Sequence, residues 1–178
     1  HYVKIGSAID TEAYERGTSV YFPNFVVPML PEVLSNELCS LKPDVFRLCL
    51  VADMHFDYQG HVTKSEFYEA VMRSHARITY GEAQEVIDGN CPPQFSHVGE
   101  MILKAADLAK ILMSKRFQAG SLDLEIPETE LIIDESGNPV DILRAERIFA
   151  HRLIEEMMLI ANVEVAKFIG RHNAQVLY

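Results

Sequence analysis

A chain of 178 residues, 48% of them hydrophobic, is long enough to bury the core of one globular domain and too apolar to be generally disordered. Its formal net charge of −10, taken alone, argues against a nucleic-acid-binding domain, because phosphate contact wants Lys and Arg. No apolar run reaches membrane-spanning length and no signal-peptide pattern opens the chain. The three cysteines, Cys39, Cys49 and Cys91, have no C-x-x-C spacing and read as reduced thiols of a cytoplasmic protein. His1 is not an initiator Met, so the sequence reads as a piece cut from something longer.

Tyr2 to Ile5 reads as a short strand broken by Gly6. Asp10 is placed to cap a helix running through Arg16, with Gly17 closing it. Residues 18–41, TSVYFPNFVVPMLPEVLSNELCSL, hold Pro23, Pro28 and Pro31, which forbid a continuous helix or a central strand. An apolar irregular stretch of this length suggests a wall against the core, with Tyr21 and Phe22 turned to a channel; plain core packing is the simpler reading.

Phe46 to Tyr58 alternates as a strand does. Leu48, Leu50, Ala52, Met54 and Phe56 lie on one face, and Asp53, His55 and Asp57 on the other. Gln59-Gly60 turns the chain, and a second strand is predicted from Val62 to about Thr79. Asp53, His55 and Asp57 could hold a metal, but such a set reads more simply as the wet side of a hairpin. Arg73, His75 and Arg77 share a face that could grip phosphates or pair with acids.

Thr79 begins a helix that ends at Gly89, with Glu82 at the capping-box position. His97 to Gln118 is a longer helix with an apolar stripe at Met101, Ile102, Ala105, Leu108, Ala109 and Leu112. SLDLEI is predicted as a strand, and Asp134 to Pro139 as a turn between two more. The last helix spans Arg147 to His172. It is apolar nearly all round, which predicts burial, yet it carries Glu155 and Glu156. A buried carboxylate needs a partner or takes up a proton. One reading is an Arg152–Glu155 or Arg152–Glu156 ion pair on a partly solvated face; the other is a Glu155 that works in a polar cleft. The sum is an α+β fold, mostly antiparallel, with a long hairpin packed against long helices.

Four stretches carry a resemblance: RGTSVYFPNFVVPMLPEVLSNELCSL, FYEAVMRSHARITY, GSLDLEIPE and HRLIEEMMLIANVEVAKFI. In this order and spacing they resemble the catalytic domain of the ribonuclease II/ribonuclease R family, nearer to its bacterial ribonuclease R side. The resemblance implies a 3′→5′ exoribonuclease that processively degrades single-stranded RNA to nucleoside 5′-monophosphates with the help of magnesium. It implies that Tyr21 stacks on a base and sets the final product length. Tyr80 would contact the terminal nucleotide near the scissile phosphate, and Glu155 would be the active-site glutamate at the channel's end. Leu124 stands where some relatives have a stacking aromatic. The family's four metal-holding aspartates would lie ahead of His1, and its catalytic arginine beyond Tyr178. Residues 1–178 are therefore expected to form a partial RNB-type catalytic domain with no metal ligands of its own, little activity alone and apolar surface that favours self-association. A non-catalytic RNA-binding or scaffold domain from a degenerate relative is the rival reading.

Overall fold

The computed structural model describes residues 2–123, 129–134, 137–144, 147–172 and 174. The strand expected over Tyr2 to Ile5 does not form. No described strand pairs with it, and the chain turns instead, the Ser7 N–H bonding to the Lys4 carbonyl. Helix α1 (Ala8–Arg16) is capped by Ser7 rather than Asp10. Ser7 Oγ accepts from the Asp10 N–H at 3.3 Å, and the Asp10 carboxylate accepts from the Gly6 N–H at 2.8 Å. One donor of the first turn, the Asp10 N–H, and one just ahead of the cap, the Gly6 N–H, are thus satisfied. Gly17, left-handed at φ 68°, ends the helix.

The proline-broken stretch forms a short ribbon of β1 (Val20–Tyr21) with β2 (Val26–Val27), where the rings of Phe22 and Phe25 stack at 4.6 Å. A π-helical turn follows at Val33–Leu38. Arg47 ties it to the next strand by donating to the carbonyls of Glu37 and Ser40 at 3.0 and 2.9 Å. Strands β3 (Phe46–Phe56) and β4 (Val62–Arg73) make the expected antiparallel hairpin. β4 stops at Arg73 rather than Thr79 because its partner begins at Phe46. Beyond that pair, among the described residues, one bridge joins Pro43 to Ser74, and Pro43 has no N–H to extend a ladder. Arg73, His75 and Arg77 therefore do not share one strand face.

Thr79 opens α2 (Tyr80–Ile87) with the predicted capping box. Its Oγ1 accepts from the Glu82 N–H at 3.3 Å, and Glu82 Oε2 accepts from the Thr79 N–H at 2.8 Å. Then come α3 (Ser96–Gln118), β5 (Thr129–Ile133), β6 (Pro139–Arg144) and α4 (Phe149–Arg171). The turn between β5 and β6 is held by Asp134, which accepts from the N–H groups of Gly137 and Asn138. Ser121 to Asp123 are not in a strand, and the Leu124 position lies outside the described residues.

The core forms where α2, α3 and α4 meet, at Ala106, Ala109 and Leu153, with Ile87, Phe149 and Met157 packed against them. Alanines on α3 let the two long helices approach closely. Burying a side chain such as Leu153 stabilises that contact by about 2 kcal/mol. The cover is one-sided. Met158 on α4 is 60% exposed, whereas Glu156 and Glu164 are each 4% exposed, the reverse of what an apolar circumference predicts.

The long hairpin meets these helices at its tip and at one ring. Gly60, at φ 72°, lies so near α3 that a Cβ there would meet Ile111 Cγ2 at 2.7 Å. Lys115 Nζ donates to the Gly60 carbonyl at 2.9 Å. Phe67 meets Phe168 of α4, their centroids 4.8 Å apart. The other end of that face is open: Phe46, Leu48 and Leu50 are exposed, Leu50 at 81%. Helices and antiparallel hairpins give the expected α+β class, and among the described residues no helix is long and apolar enough to cross a membrane.

Candidate active site on the fourth helix

Glu155 and Glu156 are chain neighbours with different surroundings. Glu156 is the buried one. Arg116, in the last turn of α3, donates to its Oε1 from Nε at 3.0 Å and Nη2 at 2.6 Å, and from Nη1 to Ser121 Oγ at 2.8 Å. That hydrogen bond to Glu156 raises the Arg116 guanidinium pKa beyond its already high value. Glu155 is 39% exposed and is held by Arg147, whose Nη2 donates to Oε2 at 2.5 Å. The bond likewise raises the Arg147 pKa. Arg147 Nη1 also donates to Asp123 Oδ1 at 3.2 Å, and Arg152 Nη2 lies 3.1 Å from Asp123 Oδ2. Arg116 Nη2 stands 3.9 Å from Glu155 Oε1.

This network corrects the ion pairs expected from sequence. Arg152 pairs with Asp123, not with Glu155 or Glu156, because Arg147 and Arg116 already hold the glutamates. Arg116, Arg147 and Asp123 were not among the sequence candidates. The need for a cation at a buried carboxylate was readable; which cation, from another helix, was not.

Tyr80 lies beside this network. As the first residue of α2 it sets its ring against His151, centroids 4.2 Å apart and planes tilted by 42°. His151 and Glu155 are one turn apart on α4, so Tyr80 and Glu155 border the same strip of the helix. The capping box at Thr79 fixes where α2 begins and therefore where Tyr80 stands. Beside Tyr80 opens an apolar groove of about 700 Å³ lined by Met101, Ile102, Leu153 and Met157, with Arg77 also on its wall.

The remaining candidates make other contacts. Tyr21 is 77% exposed on β1, and among the described residues no hydrogen bond or ring contact ties it to Tyr80 or Glu155. Arg73, at the end of β4, is engaged by Asp44 at 2.7 Å. In the long hairpin, Asp53 Oδ1 lies 3.8 Å from His55 Nε2, whereas Asp57 shapes the turn by accepting from the N–H groups of His61 and Gln59 at 2.8 and 2.9 Å. The bond from the His61 N–H, foremost, holds the Asp57 carboxyl below its ordinary range. Among the described residues no three His, Cys, Asp or Glu side chains gather as a metal site. Glu155 and Glu156 each carry an arginine, Arg147 and Arg116, in the place where a cation would sit.

Residues 1–178 all match one family, the RNB domain. The chain belongs to the RNB domain family. Ribonuclease R of Escherichia coli (strain K12) is 40% identical over 180 residues, which cover all of this RNB chain and 22% of that protein. Ribonuclease R of Aquifex aeolicus (strain VF5) is 41% identical over 180 residues, covering all of this chain and 26% of that one. Mycoplasma genitalium RNase R in complex with ribose methylated single-stranded RNA superposes with a TM-score of 0.91 at 34% identity, over 97% of this chain and 27% of that one. This RNB chain thus spans about a quarter of the length of these relatives, and its α+β arrangement is that of the RNase R fold.

Proposed function

We propose that this RNB chain is part of a 3′→5′ exoribonuclease that processively hydrolyses single-stranded RNA to nucleoside 5′-monophosphates. The observation that carries the reading is the Tyr80–His151–Glu155 strip, an aromatic face and a half-exposed carboxylate one turn apart. A phenol ring supplies a surface for a base or sugar of any sequence, and a carboxylate accepts from hydroxyl donors or takes a proton. RNA held by the similar RNase R of Mycoplasma genitalium supports the substrate class.

In this reading Glu155 acts at the closed end of the RNA path and Tyr80 touches the terminal nucleotide. Tyr21 stacks farther along the strand and sets the final product length, and Arg77 and Arg73 meet phosphates. An acidic chain can do this where the local field is positive. Magnesium is assigned to aspartates that the family resemblance places ahead of His1, outside this chain. Three unpaired cysteines support a cytoplasmic setting. The open apolar end of β3 favours self-association of the 178 residues made alone, as a partial catalytic domain with little turnover.

The test uses the longer protein that contains this chain, a labelled oligoribonucleotide and magnesium. Wild type is expected to release mononucleotides, and E155Q to lose about 100-fold or more in kcat. RNA that binds to wild type and is never shortened would overturn the enzyme reading in favour of a scaffold.

A further inference from the structure

We propose that Arg147 is a positioning residue for Glu155: it decides which way the carboxylate points. The inference rests on the exoribonuclease reading above. Arg147 lies before α4, two turns from Glu155 along the helix, and spans that distance to reach Oε2. Its fork is used at both ends, Nη2 on Glu155 and Nη1 on Asp123, so the guanidinium plane is fixed from two sides. A fork anchored in this way orients a carboxylate, where a single flexible ammonium would only neutralise it.

Helix stability does not account for this arginine. A cation beside a helix N-terminus opposes the macrodipole, and the first turn of α4 holds no acid to offset it. Local solvation does not account for it either, since a cation already stands near Glu155. Arg116 Nη2 lies 3.9 Å from Glu155 Oε1 while it serves Glu156. Glu155 therefore has two cations to choose between. Arg147 holds Oε2, while Oε1 stands toward Arg116. Without Arg147 the carboxylate swings to Arg116.

The experiment is steady-state kinetics on a labelled oligoribonucleotide with the full protein that contains this chain, as R147M, R147K, D123N, E155Q and E155Q/R147M. R147M is expected to lower kcat about 10- to 100-fold with KM within about threefold, and R147K to recover part of the loss. Because Arg147 acts through Glu155, E155Q/R147M is expected to be no slower than E155Q alone, within about threefold. Wild-type kcat in R147M beside an inactive E155Q overturns the inference and leaves the exoribonuclease reading standing. So does a double variant whose loss is the product of the two single losses. Should R147M not fold, R147K and D123N decide: a kcat loss in both supports the inference, and wild-type kcat in both overturns it. An E155Q enzyme at full activity removes the reading and this inference together.

Discussion

Arg116 gives two N–H groups to a single oxygen of Glu156 and so ties the end of α3 to α4. Replacing Arg116 with Met strands a buried carboxylate. We expect R116M to cost about 3–5 kcal/mol, the usual consequence of removing one partner from a buried pair. Replacing both partners, in R116M/E156M, should return most of that loss, because the desolvation cost disappears with the charge. Chemical denaturation of wild type, R116M, E156M and the double variant gives the cycle. Equal losses in R116M and in the double variant would mean that the Arg116 stem, rather than its charge, holds the helices together.

The cap of α2 carries a pH dependence. Hydrogen bonds from the Thr79 N–H, and then from its hydroxyl, favour the ionised Glu82 and hold its carboxyl below the ordinary value of 4.5. A lowered folded-state value means that the bond stabilises the fold fully above the unfolded value and is lost as pH falls through the folded one. Wild type should therefore lose its advantage over E82Q as the solution is taken from about pH 6 to about pH 3. At neutral pH, T79A should cost about 1 kcal/mol. A gap between wild type and E82Q that stays constant across that range would exclude the ionised bond as its source.

What the sequence makes legible is what lies within one turn. The Thr79–Glu82 box, the Gly17 stop and the Asp134 turn all depend on residues no more than five apart, and each forms where spacing predicts. Partners from other elements were not legible. Asp123, which anchors both Arg147 and Arg152, lies outside any helix or strand, and nothing in its surroundings marks it. Periodicity sorts side chains onto faces without saying which face is covered. Hence Leu50 alternates correctly and is exposed, while Glu156, and not Glu155, is buried. Alternation likewise runs on past Arg73, but a ladder ends where its partner does. Glu155 stood out from the helix pattern and Tyr80 from family resemblance; that Tyr80 packs against His151, one turn from Glu155, is a fact of packing.

Gly60 should tolerate no side chain. Its φ of 72° disfavours any Cβ, and Ile111 Cγ2 would lie 2.7 Å from one. G60A should cost about 1–3 kcal/mol and loosen the hairpin tip from α3, seen as faster hydrogen exchange around Gly60. In an I111A background the clash is gone and the backbone strain remains, so the cost should fall to about 1 kcal/mol. An unchanged cost in that background would assign the whole effect to the turn.

His151 separates a ring from a nitrogen. Its ring packs against Tyr80, while its Nδ1 is buried without a hydrogen-bond partner among the described residues. If the site uses only that ring contact, H151F keeps what matters and discards a polar atom whose burial costs about 1–3 kcal/mol. H151F should then melt at or above the wild-type temperature and keep kcat within about threefold. H151A removes the surface on which Tyr80 rests, so kcat should fall about tenfold through loss of orientation. Y80A/H151A should be no slower than Y80A, since His151 would have no ring left to place. A loss in H151F as large as in H151A would reverse the assignment: the nitrogen, and with it proton transfer or a hydrogen bond to the RNA, would be what this position supplies.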